Sequence, residues 1–176
     1  EIEGQAVRSV ETYAVMEPYS YVRITYDKDI SEYFLEVLEP RLEQDEERLL
    51  AAAKETMGRA LRYEWDEPNA SDKRDHLLRN FDSFARSRGY MISPLSRKRI
   101  GYYILRDFIG YGKTDVLMRD GNIEDISCDG VGVPLFVYHR KYGSMKTGLV
   151  FNDEEELNSY VVALGQKCGR QISVAN

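Results

Sequence analysis

The sequence predicts an α+β chain built as two small domains, and three observations carry that prediction. Two segments rich in aromatic and β-branched residues, 21–26 and 33–38, flank a polar stretch with turn chemistry, Asp27 to Ser31. Apolar residues then recur at helical spacing through three successive stretches. Finally, the texture changes after Gly112 to short alternating segments followed by one more helix.

The first pair of segments reads as a β-hairpin, ended by Glu39 and Pro40. Leu42, Leu49, Leu50, Ala53, Met57, Ala60 and Leu61 follow with charges elsewhere around the wheel, which predicts a helix from near residue 41 to near 63. Residues 65–71 are polar, carry Pro68, and read as the boundary between the domains, placed at 1–66 and 70–176. Ser71 is read as the N-cap of a second helix, with Leu77, Leu78, Phe81, Phe84 and Ala85 on one face and Gly89 as its stop. A third helix is expected from about Arg97, carrying Ile100, Ile104, Leu105, Phe108 and Ile109 as far as Gly110.

Beyond Gly112 the reading is an extended segment at 116–118, a turn at 120–122, a strand in which Ile126 and Cys128 face inward, a glycine-rich loop, and a returning strand over 135–142. A last helix is predicted with Asn152 as its cap and Glu155 three residues on, its apolar face formed by Leu157, Tyr160, Val161, Leu164 and Cys168. Residues 172–174 read as the start of another strand or a linker, and the abrupt end at Asn176 reads as that of an excised fragment. The second domain is thus a helical linker leading to an antiparallel sheet with a flanking helix.

Composition narrows the function. With 43% hydrophobic residues the chain can bury a core, and a net charge of −6 with a pI near 5.1 argues against nucleic acid as the main partner. No apolar run approaches the roughly 20 residues that span a bilayer, and the first residues do not resemble a secretory signal, so the stretch reads as soluble and intracellular. Cys128 and Cys168 lack the paired spacing of a zinc site, and His76 and His139 do not complete one. The reading is of two buried thiols.

Gly112, Lys113 and Thr114 match the last three positions of a phosphate-binding loop, but Asp107 stands where its first glycine is required, and a helix leads in where a strand should. Asp115, Asp120, Glu124, Asp125 and Asp129 are scattered by alternation over opposite faces, which favours turn and strand-edge roles over a metal site. His139, Arg140 and Lys141 are more suggestive. In a strand Arg140 would share a face with Tyr138 and Tyr142, an arginine braced between aromatics; the plain alternative is a sheet edge protected by charge. Arg170, just past the last helix, is placed to reach a partner or simply to complement the helix C-terminus.

The strings NIEDISCDG over 122–130, VPLFVYHRKYG over 133–143 and CGRQISVAN over 168–176 resemble the region just upstream of the motor domain in archaeal members of the secretion ATPase superfamily, the hexameric motors of type II secretion, type IV pili and the archaellum. EPYSYVRI over 17–24 and VLEP over 37–40 resemble their amino-terminal part. The resemblance implies a two-part N-terminal region feeding a RecA-like ATPase core whose phosphate-binding loop, metal-binding strand and histidine motif would follow Asn176. No residue here is then catalytic or a metal ligand, and ATP and Mg belong to the full-length protein, the fragment itself being inactive and without a cofactor. By the same analogy, Arg140 and Arg170 are the residues expected to contact nucleotide or a subunit interface. The implied partners are the motor domain itself, neighbouring subunits and a membrane platform protein, with no nucleic acid, and the implied location is cytoplasmic, peripheral to the inner face of the membrane. A different class remains open beside this one: a free-standing sensory or protein-binding α+β module.

Overall fold

Two segments far apart in sequence form one sheet. In the computed structural model, which describes residues 6–61 and 70–169, the strands β1 (Val7–Met16), β2 (Ser20–Asp27) and β3 (Glu32–Leu38) join β4 (Ile123–Ser127), β5 (Pro134–His139) and β6 (Gly143–Val150) in the order β1-β2-β3-β6-β5-β4. All neighbours are antiparallel except β3 and β6, which run parallel through Phe34 opposite Lys146 and Leu35 opposite Thr147. A parallel pair needs a long crossover. Here the connection from β3 to β6 runs through α1 (Gln44–Leu61), α2 (Ala70–Ser87) and α3 (Pro94–Phe108), then a shorter helix, β4 and β5.

The compact units therefore run 1–39 with 113–176, and 40–112, and not 1–66 and 70–176. Local patterning marks where a helix breaks, but a strand pairing between the two ends of the chain leaves no local trace. The α+β class and the hairpin of β2 and β3 are as the sequence predicts.

The sheet unit buries Val22, Ile24, Leu35, Leu135, Val137, Met145 and Phe151, together with Val116 and Leu117 from a short helix, α4 (Asp115–Arg119). α4 and the single 3₁₀ turn before it, Gly112–Thr114, replace the extended segment expected there. Val116 and Leu117 are consecutive apolar residues, a pattern that a strand and a buried helical turn share. The last helix, α5 (Glu154–Lys167), is capped by Asp153 and not Asn152. Asp153 Oδ1 accepts the Glu156 N–H at 2.8 Å, and Glu156 reaches back to accept the Asn152 N–H at 2.9 Å. Leu157 and Tyr160 of α5 pack against the sheet core, while Val161 is 36% exposed.

Two strands went unread in the sequence, β1 and β6. In β1, Ser9 opposes Thr25 while Glu11 opposes Ile24, so Val10 is an extra residue in a β-bulge. The bulge switches the inward parity from Arg8, opposite Tyr26, to Glu11 and Tyr13, opposite the buried Ile24 and Val22. A period-2 pattern broken in mid-strand does not announce itself. β4 is bulged in the same way at Glu124, so that Ile123 and Ile126 both oppose inward residues of β5, and Cys128 falls beyond the strand. Cys128 and Cys168 are both exposed free thiols, contrary to the buried reading.

In the helical unit, Leu49, Ala53 and Met57 of α1, Leu77 and Phe81 of α2, and Ile100 and Ile104 of α3 form a single buried cluster. These are the residues that the helical periodicity places inside. α3 begins three residues earlier than expected, because Ser93 accepts the Ser96 N–H at 3.0 Å and Pro94 sits in the first turn, where its missing N–H costs nothing. The segment 65–69, the side chain of Ser71 and residues 170–176, with Arg170 and the strand expected at 172–174, lie outside what the structure describes.

Candidate functional site

The β5–β6 turn is where the sheet unit concentrates its polar chemistry. β5 points Leu135, Val137 and His139 inward, and the strand ends at His139, which is 2% exposed. Arg140, Lys141 and Tyr142 then form a three-residue loop, closed by Gly143 at φ +73°, opposite His139. A left-handed residue closing a three-residue hairpin is glycine's position, since a Cβ there would be strained.

Because β5 ends at His139, three residues short of the strand expected over 135–142, Arg140 is not held between Tyr138 and Tyr142. It sits on the turn, 66% exposed, its Nε donating to Glu124 Oε1 at 3.2 Å and its backbone N–H to the Asn122 carbonyl at 2.8 Å. The cation that lies over an aromatic ring is Lys141, whose Nζ is 4.9 Å from the Tyr142 centroid. Lys141 Nζ donates to Glu11 Oε2 at 3.0 Å, and the Tyr142 hydroxyl donates to the same oxygen at 2.6 Å. These two donors, Tyr142 foremost, hold the Glu11 carboxyl below its ordinary range. The first strand of the chain thus fastens the turn.

Beneath the turn runs a part-buried relay of hydrogen bonds. His139 Nδ1 accepts the Lys141 N–H at 3.1 Å, which places the ring proton of a neutral imidazole on Nε2. Nε2 lies 3.2 Å from the Tyr13 hydroxyl and donates to it, and Tyr13 in turn donates to Asp120 Oδ2 at 2.5 Å. Asp120, 6% exposed, also accepts from the Asn122 N–H at 2.9 Å and from Asn122 Nδ2 at 3.1 Å. Burial, then the hydrogen bond and charge of Asp120, raise the Tyr13 pKa, so the phenol stays a donor.

Burial likewise lowers the His139 pKa, against the pull of Asp120 and Glu11 and with some help from Lys141 and Arg140. A histidine whose folded pKa lies below its unfolded value of about 6.5 contributes stability that is complete above that value and is lost as pH falls through the window beneath it. Acidification below about pH 6.5 is therefore expected to weaken the sheet unit. Urea titrations across pH 5 to 7 should show a slope in wild type that shrinks in His139→Gln. An identical slope in both would remove His139 as its source.

An aromatic run continues from this site. His139 and Tyr142 have centroids 5.2 Å apart, Tyr142 and Tyr33 5.0 Å, and Tyr33 and Tyr26 4.8 Å, with the Arg8 guanidinium 5.6 Å from the Tyr26 centroid. All are tilted contacts of the kind that contribute beyond area burial. The arrangement is a braced platform that presents Arg140 and Lys141 outward while keeping a neutral imidazole and a fixed carboxylate below them.

The other residues weighed in the sequence are committed elsewhere. Lys113 Nζ donates to the Val150 carbonyl at 2.6 Å, pairs with Glu156, and lies 5.2 Å from the Phe151 centroid, so it ties α5 to the sheet. Thr114 meets the Tyr160 hydroxyl at 2.8 Å. Asp115 is buried and paired with Arg119 at 2.8 Å, whereas Glu124, Asp125 and Asp129 are exposed. Among the described residues, no group of three or more His, Cys, Asp and Glu side chains is placed to hold a metal. Nor does any described helix have the length and apolarity to cross a membrane. Sequence reasoning passed over Glu11 and Tyr13 and read Asp120 only as a turn residue. The link from Asp120 through Tyr13 to His139 joins three separate segments, and the bulge in β1 hid the inward face of Tyr13.

Comparison with known proteins places these observations. The chain is 35% identical over 140 residues to the uncharacterized protein MJ1288 of Methanocaldococcus jannaschii, a match covering 80% of this chain and 56% of that protein. It is 36% identical over 85 residues to the uncharacterized protein MJ0900 of the same organism, covering 48% of this chain and 15% of the relative. The chain thus spans about half the length of the first relative and a small part of the second. The family model described as PilB3-like, N-terminal, matches residues 2–41, and this match points to a region related to the N-terminal part of type IV pilus and secretion ATPases.

Proposed function

We propose that the chain is the N-terminal coupling and interaction region of a hexameric ATPase that powers protein secretion or the assembly of a type IV pilus or archaellum filament. The observation that supports this reading best is that the segment matching the PilB3-like N-terminal model supplies β1, β2 and β3, and that Glu11 and Tyr13 of that segment brace the turn carrying Arg140. The matched segment and the cationic turn belong to one folded unit. In this reading ATP and Mg bind to a RecA-like motor that follows this region in the full-length protein. The region itself works on the cytoplasmic side of the membrane, against its own motor, neighbouring subunits and a membrane platform protein.

Arg140 is the contact proposed for nucleotide phosphate or for the subunit interface, with Arg170 as a second. A guanidinium offers fixed, permanently charged donors to phosphoryl oxygens whose charge is redistributed during transfer. The partner Arg140 now has, Glu124, is 46% exposed, and an exposed ion pair contributes at most about 1 kcal/mol. Replacing Arg140 therefore leaves the fold intact. In the full-length protein, Arg140→Glu is expected to lower ATP turnover at least about tenfold while hexamers persist in size-exclusion chromatography. Unchanged turnover would remove Arg140 from the proposal, and loss of both turnover and hexamers would reassign it to packing.

A further inference from the structure

Between Asp82 and Asp107 the chain has six arginines and lysines and no acidic residue, although the protein carries 30 acidic residues against 24 basic ones. In the middle of this stretch stands the connection between α2 and α3. Met91 there is fully exposed, Leu95 in the first turn of α3 is 57% exposed, and Tyr90 is 48% exposed.

The connection is locked at both ends. α2 stops in a Schellman arrangement: Gly89 adopts φ +73°, its N–H donates to the Arg86 carbonyl at 3.1 Å, and the Tyr90 N–H donates to the Ala85 carbonyl at 3.0 Å. α3 starts on the Ser93 cap. Between them Ile92 turns inward against the helical core. The outward display of Tyr90, Met91 and Leu95 is thus fixed by the turn's own geometry, with Ile92 as its anchor.

Around these apolar side chains the cations are set outward. Arg86, Arg88 and Lys98 are exposed; Arg88 lies 5.8 Å from the Phe84 centroid, and among the described residues Lys98 has no ion-pair partner. Arg97 is engaged by both oxygens of Asp82 at 2.7 Å, which holds α2 and α3 together behind the tip.

We propose that this tip inserts into the surface of a bilayer containing anionic lipid, with Met91, Leu95 and Tyr90 entering the boundary between headgroups and acyl chains while Arg86, Arg88 and Lys98 meet lipid phosphates. Three exposed apolar side chains on a turn offer no groove, so a protein partner would need a cavity matched to them. A bilayer surface deforms around such a tip from every side, and tyrosine is at home at its headgroup level. Nucleic acid would satisfy the cations but leave Met91 and Leu95 in water. The proposal stands on residues 83–106 alone and needs no motor.

The test is flotation of the purified chain with vesicles of phosphatidylcholine alone and with vesicles that also contain phosphatidylglycerol. Binding is expected to the phosphatidylglycerol vesicles only, and to weaken as salt is raised. Met91→Ser with Leu95→Ser, which leaves the charge unchanged, should reduce it roughly tenfold or more. Arg86→Gln with Lys98→Gln should reduce it about fivefold per cation. Because these side chains are exposed, circular dichroism and melting should stay as in wild type. The proposal is overturned if phosphatidylglycerol vesicles do not retain the chain, as a purely protein-directed tip would require. It is equally overturned if the serine variant binds like wild type, or if Lys146→Gln, in the sheet unit, weakens binding as much as the tip cations do.

Discussion

Phe81→Ala is expected to destabilise the helical unit by about 3–5 kcal/mol, the usual cost of removing a buried aromatic ring together with the cavity that remains. Phe81 is fully buried at the centre of the cluster that α1, α2 and α3 share, where Met57, Leu77, Ile100 and Ile104 are also buried. Each of these neighbours sits on a helix tied to another. Arg97 clamps α3 to α2 through Asp82, Lys54 pairs α1 with Asp107 at the end of α3, and Tyr103 donates to the Pro40 carbonyl at 2.7 Å. The site therefore collapses poorly around a missing ring, and the upper part of the range applies. For a unit of this size, about 1 kcal/mol moves the midpoint by roughly 4–8 °C, so the helical signal should melt at least about 12 °C earlier. Thermal and urea unfolding followed by far-ultraviolet circular dichroism measure it. A loss below about 1 kcal/mol would mean that the three helices do not share one core.

Asp120→Ala should cost the sheet unit roughly 2–4 kcal/mol, because it removes a buried, charged acceptor of three hydrogen bonds at once and leaves the part-buried Tyr13 hydroxyl without its partner. The Tyr13 hydroxyl and the Asn122 backbone and side-chain N–H groups all converge on this carboxylate, and His139 follows through Tyr13. Tyr13→Phe removes only the middle of the relay and should cost about 1–3 kcal/mol. Residues in one hydrogen-bonded network are not independent. The double variant is therefore expected to fall short of the sum by about 1 kcal/mol or more. Strict additivity in chemical denaturation would show that the relay does not act as one unit. The same relay positions the β5–β6 turn, so Asp120→Ala in a full-length protein should also disturb whatever Arg140 contacts, whereas Arg140→Glu leaves the relay untouched.

The two electropositive features are built differently. On the β5–β6 turn each cation is held by a carboxylate, Arg140 by Glu124 and Lys141 by Glu11. Such a turn keeps its cations in place until a stronger anion competes for them. Of the cations between Asp82 and Asp107, Arg97, Arg99 and Arg106 are paired with Asp82, Glu46 and Asp107, and among the described residues Arg86, Arg88 and Lys98 are the exposed cations left to set the outward field of the α2–α3 tip. An average charge of −6 conceals both, since the acidic residues that set it lie elsewhere along the chain.

What the sequence determined by itself is everything that depends on near neighbours. Helical periodicity placed Leu49, Ala53, Met57, Leu77, Phe81, Ile100 and Ile104 inside, turn chemistry between residues 27 and 31 gave the β2–β3 hairpin, and Gly89 stopped α2. It failed where a local rule is broken on purpose or where the partner is distant. Bulges at Val10 and Glu124 reversed the inward parity in mid-strand, and the cap of α5 moved one residue, to Asp153. The cysteines were read as buried on residue type alone, yet Cys128 lies past the end of β4 and Cys168 at the end of α5. Only the tertiary structure decided that β3 lies beside β6, that the helices form an insertion within a sheet unit, and that Tyr13, Asp120 and His139 share one relay. The physical reason is that hydrogen bonds and packing are set by distance in space, and chain closure over a hundred or so residues costs only about 2 kcal/mol more than closure over ten, so a distant pairing can form without anything near either partner recording it.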